Sequence, residues 1–155
     1  MSNENARLTA ENLKGAMASH TVRSNEVVPD WEPFLKPPVP DNHRAIFQYI
    51  GMNGHGRVDP WVAQSERISL SLIYLPPGQG APPHAHDAEE VFMVLDGRVT
   101  FWWEEGAEQA ESVLGPKDLI TYPPNVRHSF KNTGVEGAWL HIVIGAPGSL
   151  PVYDR

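Results

Sequence analysis

The stretch from Gly78 to Gly97 reads Gly-Gln-Gly-Ala-Pro-Pro-His-Ala-His-Asp-Ala-Glu-Glu-Val-Phe-Met-Val-Leu-Asp-Gly, and it sets the tightest constraint on how this chain folds. His84 and His86 lie two apart, and side chains two apart on a strand share a face. Glu90 has the same parity, so it joins them if the chain returns to strand after Asp87-Ala88-Glu89. Two imidazoles and a carboxylate on one face make a ligand set for a divalent transition metal. A fourth ligand is then expected from elsewhere. The sequence offers His128, in Tyr122-Pro-Pro-Asn-Val-Arg-His128-Ser-Phe-Lys-Asn132. Any one of these residues alone reads better as part of a polar surface loop; all four at these spacings favour the metal.

Composition narrows the partners. At 155 residues the chain has the length of one domain with a real core. Its 12 basic and 19 acidic residues give a formal charge of −7, which argues against nucleic acid and anionic membrane surfaces as partners. The absence of cysteine excludes disulfides, thiolate metal sites and a cysteine nucleophile, so any metal is held by nitrogen and oxygen. Residues 1–18 carry neither a basic cap nor an apolar h-region, and no apolar run is long enough to span a bilayer. The expectation is a soluble, cytoplasmic protein.

Residues 1–44 differ in character from the rest. Thr9 to Ala18 has a weak helical pattern, and Pro29, Pro33, Pro37, Pro38 and Pro40 forbid a continuous helix or a central strand beyond it. This predicts an extended N-terminal arm anchored by Trp31, Phe34 and Leu35, docked on the barrel or on a partner subunit. From residue 45 to 155 the chain alternates like a β protein. Strands are expected at 45–50, 67–75, 90–95, 98–104, 112–114, 118–122, 126–131 and 138–144, separated by Gly, Pro and Asn turns. Within 67–75, Ile68, Leu70, Leu72 and Tyr74 share one face, and Ser69 and Ser71 the other. Asp96-Gly97 reads as a two-residue hairpin turn. Many short strands with almost no helix predict an all-β sandwich or barrel.

The spacing Gly78-x5-His84-x-His86-x3-Glu90-x6-Gly97 resembles the first motif of the cupin superfamily at each of its fixed positions. Pro123-x-Asn125-x2-His128-x3-Asn132 resembles the second motif at the proline, histidine and terminal asparagine. It departs where the motif has glycines, with Lys117 and Asn125 in their place. The resemblance covers about residues 67–145. It implies a double-stranded β-helix, or jelly-roll, barrel whose mouth holds one divalent transition metal on His84, His86, Glu90 and His128. Fe(II) is favoured, with Mn(II), Ni(II) or Zn(II) as alternatives, because ligand identity alone does not select among them. It also implies a homodimer.

Three functions follow as expectations. The first is a non-haem Fe(II)-dependent oxygenase acting on a small oxygen-chelating substrate such as a diketone, an enol or a phenolic. The second is a metal-assisted isomerase, lyase or decarboxylase. The third is a cupin that binds a small molecule without turning it over. Strand parity sets Phe92 and Val94 on the face of Glu90. On the next strand, Val99, Phe101 and Trp103 are the more apolar set and the preferred inward one over Arg98, Thr100, Trp102 and Glu104. Phe92, Val94, Phe101, Trp103 and Tyr74 are therefore the expected substrate-binding residues, although core packing is the plainer role for most. Gln48 and Arg67 are further pocket candidates. His141, flanked by apolar residues on a late strand, is the expected catalytic base, with a hydrogen-bonded core histidine as the alternative.

Overall fold

Short β-branched and aromatic runs broken by Gly and Pro have one stable outlet, which is pairing into sheets that bury one face against each other. The structure, a computed structural model, describes residues 10–31, 40–52, 59–146 and 152–153. One helix, α1 (Ala10–Ser19), precedes the strands β1 (Ala45–Met52), β2 (Ala63–Ser65), β3 (Ile68–Leu75), β4 (Gly80–Ala85), β5 (Glu90–Asp96), β6 (Val99–Glu105), β7 (Glu108–Leu114), β8 (Leu119–Tyr122), β9 (Arg127–Asn132), β10 (Ala138–Gly145) and β11 (Val152–Tyr153). They form a six-stranded sheet in the order β2-β1-β3-β10-β5-β8 and a five-stranded sheet in the order β11-β4-β9-β6-β7. From β3 to β11 the chain alternates between the sheets at every step except β6 to β7, which pair with each other, and the whole is a jelly-roll barrel.

The two inner faces meet in an apolar core. Phe92 packs 5.4 Å from Phe101 and 5.0 Å from Phe130 between ring centroids, so the contact crosses from one sheet to the other. Leu75, Val94, Val99, Ala138 and Leu140 complete the layer and are fully buried.

The Asp96-Gly97 turn does something other than close a hairpin. β5 pairs with β10 and β8, whereas β6 pairs with β7 and β9. Gly97, at φ 87°, carries the chain across the corner from the first sheet to the second. A Cβ there would stand 2.6 Å from Cβ of Ala138, so the corner is packed too closely for a side chain. The local turn signal is genuine. What it connects is decided by long-range pairing.

β3 also differs from expectation. Ile73 and Leu75 lie in the core, which by parity turns Ser69 and Ser71 inward and Leu70, Leu72 and Tyr74 outward. The outward side is itself aromatic: Trp139 packs 5.4 Å from Phe47 and 5.1 Å from Tyr74. Part of the N-terminal segment runs beside this region. Asp30 forms an antiparallel bridge with Ile46, Val27 is buried, and Trp31 stacks on His43 at 4.9 Å. Phe34 and Leu35 lie outside the described residues. No described helix is long and apolar enough to cross a membrane.

Candidate metal centre

β4 and β9 pair so that His84 stands directly opposite His128. Pro82 and Pro83 shift the register just before His84, because proline has no N–H for the ladder. His86 follows at the end of β4, and Glu90 opens β5 on the other sheet. Ligands from both sheets therefore converge where the barrel opens. One donor atom from each of His84, His86, Glu90 and His128 lies within 4.8 Å of all the others, and all four residues are buried. Nε2 of His128 is 2.8 Å from Oε2 of Glu90, and Nε2 of His86 is 3.5 Å from the same oxygen.

Two of the imidazoles, His84 and His128, are held in a ligating tautomer. Nδ1 of His84 lies 2.7 Å from the Pro82 carbonyl oxygen, and Nδ1 of His128 lies 3.0 Å from that of Val126. A carbonyl only accepts, so the proton sits on Nδ1 and the lone pair on Nε2. Burial, reinforced by the neighbouring His128, pushes the pKa of His84 down to about 2 against the opposing pull of the Pro82 carbonyl; His86 and Arg44 lower it further. The neutral form is the one that binds a metal.

The donor set fits a cation for a second reason. Oε2 of Glu90 and Nε2 of His128 are both buried without a hydrogen-bond partner. They stand 2.8 Å apart, but with the His128 proton on Nδ1 both are acceptors and no hydrogen bond joins them. Leaving such groups unpaired costs about 1–3 kcal/mol each, more for a charge. A divalent ion between them satisfies both.

Tyr122 completes the surroundings, and no motif or spacing singles it out. It stands opposite Glu90 in the β5–β8 register, and its ring lies flat on the His128 imidazole at 4.1 Å and 14°. Its hydroxyl donates to the Trp102 carbonyl at 3.3 Å, long for an O–H···O bond. Burial, then the Glu90 carboxylate, pushes its phenol well above the usual tyrosine range. Asn125, at φ 64°, donates its N–H to the carbonyl of His86 at 2.6 Å. Lys117 adopts φ 75°. Both positions that depart from the second motif thus keep a glycine-like backbone. Asn132 is buried and donates through Nδ2 to the carbonyls of Leu75 and Glu136.

The other expected site residues divide into three groups. Phe92 lies under the tetrad, 6.1 Å edge-on from His128, with Val94 and Phe101 deeper in the core. Trp103 is 37% exposed at the mouth and packs 5.8 Å from Tyr122. Tyr74 and His141 stand on the outer face of their sheet. His141 pairs with Leu72 and Met93, and its neighbours Leu140 and Ile142 are the ones that point inward. Neither faces the tetrad, which corrects the pocket role expected of Tyr74 and the base role expected of His141.

A two-sheet jelly roll that gathers three imidazoles and a carboxylate at its mouth defines the class: an all-β barrel with a group able to hold a metal ion. The family model for the cupin domain matches residues 71–144, just under half of the chain, and that part of the chain is a cupin domain. It is 31% identical over 87 residues to auxin-binding protein 1 of Arabidopsis thaliana, covering 53% of this chain and 44% of that protein. It is 31% identical over 65 residues to dimethylsulfoniopropionate lyase DddQ of Ruegeria pomeroyi, covering 42% of this chain and 31% of that one. The matched regions span less than half the length of either relative. Among solved structures it is similar to the polyketide cyclase RemF of Streptomyces resistomycificus, with a TM-score of 0.63 at 18% identity over 87% of this chain and 86% of the other. It is also similar to DddQ, with a TM-score of 0.60 at 22% identity over 97% and 72%. At these identities the structural likeness shows the fold.

Proposed function

We propose that this cupin is a metal-dependent enzyme, a non-haem Fe(II) oxygenase acting on a small, flat, oxygen-chelating substrate such as a diketone, an enol or a phenolic. The supporting observation is the wall beside the donor set. Trp103, Tyr122 and His128 form a run of packed rings, with Phe92 beneath. That wall offers dispersion contact to a conjugated substrate and no side-chain base, since burial keeps the Tyr122 phenol protonated and His141 faces outward. When bound, the ion supplies Lewis acidity and, as Fe(II), one-electron chemistry toward dioxygen. The chain's own part is to keep the His84 imidazole neutral, to hold the Glu90 carboxylate beside His86 and His128, and to seat the substrate ring against Trp103.

The test is an oxygen-electrode assay of Fe(II)-loaded protein with a panel of β-diketones, enols and phenolics. Oxygen uptake that depends on one substrate class is expected. No uptake across the panel sinks the reading. The likeness to DddQ, named a lyase, favours a second reading, Lewis-acid elimination or isomerisation without dioxygen. Turnover under nitrogen selects it. We further propose a homodimer joined through the outer face that carries Phe47, Leu72 and Trp139, all half-buried. Light scattering at twice the chain mass supports it, and the mass of a single chain rejects it.

A further inference from the structure

β3 is amphipathic in the reverse sense for a barrel strand. Its outward residues Leu70, Leu72 and Tyr74 are apolar or aromatic, while Ser69 and Ser71 point inward ahead of Ile73 and Leu75. The register extends this inner row across the sheet. Ser71 lies opposite Gln48 of β1 and, on its other side, Ile142 of β10, which lies opposite Phe92. One step nearer the mouth, Ser69 lies opposite Ile144, Ile144 opposite Glu90, and Glu90 opposite Tyr122. Residues opposite one another in an antiparallel ladder share a face. Gln48, Ser69 and Ser71 therefore stand on the same inner wall as the metal-ligating carboxylate.

Exposure along that wall changes with depth. Leu75 is 0% exposed and Ile73 4%, whereas Ser71, Ser69 and Gln48 are only half-buried. An inward residue that keeps contact with water, beside the core, borders an opening in the interior. Gln48, Ser69 and Ser71 bring a carboxamide and two hydroxyls to that opening. Here they share the wall of Glu90, whose Oε2, like Nε2 of His128, is buried without a hydrogen-bond partner. Polar donors, a water-accessible wall and unsatisfied ligand atoms coincide at one end of the barrel.

We infer that Gln48, Ser69 and Ser71 form a polar subsite of the metal pocket, which takes an uncharged oxygen-bearing group of the substrate, a hydroxyl, carbonyl or ether, at the end away from the metal. None of the three carries a charge, so they match a neutral group better than a carboxylate or phosphate, which call for a cation. The aromatic wall sets the plane of the substrate and the polar row sets its direction. This deepens the reading of the site as a metal-dependent pocket, and it makes no use of the dioxygen step.

The absence of cysteine makes the test clean. Single variants Ser69→Cys, Ser71→Cys and Ile73→Cys each place one thiol on the same wall, and Gln109→Cys places one on the exposed strand β7. Labelling by methyl methanethiosulfonate is followed by mass spectrometry on metal-free and Zn(II)-loaded protein, with and without acetylacetone. Circular dichroism confirms folding, and Gln48→Cys stands in for either serine variant that fails. The serine-position thiols are expected to label at least about tenfold faster than that at 73, which is reached only by local opening. With Zn(II) present, acetylacetone slows both serine positions and leaves 109 unchanged. Labelling at 71 as slow as at 73 overturns the inference, and so does fast labelling at 69 and 71 that Zn(II) with acetylacetone leaves unaltered. Because zinc brings no oxygen chemistry, this outcome is separate from that of the oxygen-electrode assay.

Discussion

The floor and the mouth of the barrel are built on the same strands with the same parity, yet they are held together by different physics. On β5 the inward residues run Glu90, Phe92, Val94, and on β9 they run His128, Phe130. Below Phe92 the inner face is apolar except for Asn132, whose amide is satisfied by the Leu75 and Glu136 carbonyls, and stability comes from area removed from water and close packing. Above it the same burial is applied to three imidazoles and a carboxylate, where it works against the fold unless a cation offsets it. Phe92 is the boundary: it touches Phe101 and Phe130 on one side and His128 on the other. A barrel made this way folds by its floor and spends part of that stability on a poised mouth.

That contrast is open to attack in order of effect. The largest is at the ligands. His128→Ala and His86→Ala are each expected to weaken metal binding by more than about a hundredfold, beyond what supporting residues contribute. Isothermal titration with Zn(II) measures this, and circular dichroism should show both variants folded. Loss of the fold instead would mean that mouth and floor are one unit. Next, Phe92→Ala should lower the stability of the metal-free protein by about 3–5 kcal/mol in urea unfolding. A cost below about 1 kcal/mol would remove Phe92 from the core.

Tyr122 sharpens the boundary further. If its flat ring fixes the plane of His128, Tyr122→Phe should keep metal affinity within about threefold, and Tyr122→Leu should lose about tenfold or more. The Co(II) absorption bands should shift in the leucine variant alone. Equal affinities in both would reduce Tyr122 to core filler.

A smaller effect concerns pH. The folded chain keeps His84 neutral down to about pH 2, whereas an unfolded histidine takes its proton near 6.5. Between these values the unfolded state binds more protons, so this contribution is complete above pH 6.5 and is lost as pH falls below it. Urea midpoints of metal-free protein should therefore decline from pH 7 to pH 5, and less so in His84→Gln. The smallest effect lies far from both regions. Lys117 adopts a left-handed backbone at φ 75°, and Lys117→Gly should raise stability by up to about 1 kcal/mol, visible as a higher melting temperature.

The ligand set was legible because its information is local: spacing fixes parity within β4 and β5, and a motif with glycine, proline and asparagine at set places pins His128. The left-handed turn at Asn125 was legible, because asparagine tolerates that conformation; the one at Lys117 was not, because lysine gives no sign of it. What escaped was everything that depends on which strands meet. Asp96-Gly97 has the composition of a hairpin, but β10 and β8 occupy both sides of β5, so β6 has to go to the other sheet. Tyr74 faces outward against expectation because the alternation on β3 runs in reverse, with Ser69 and Ser71 on the inner side, and on β10, apolar on both faces, alternation carries no sign for His141. Tyr122 earned no notice because its meaning lies in its register opposite Glu90, a long-range fact.

The central claim is that the side chains of His84, His86, Glu90 and His128 hold one cation. An anomalous-difference map from crystals of the protein purified without a histidine tag tests it most directly. The account predicts a single strong peak per chain, about 2.0–2.2 Å from three imidazole nitrogens and a carboxylate oxygen of those residues. Full-occupancy metal bound elsewhere, or crystals grown with excess Zn(II) that leave this tetrad empty, would contradict it.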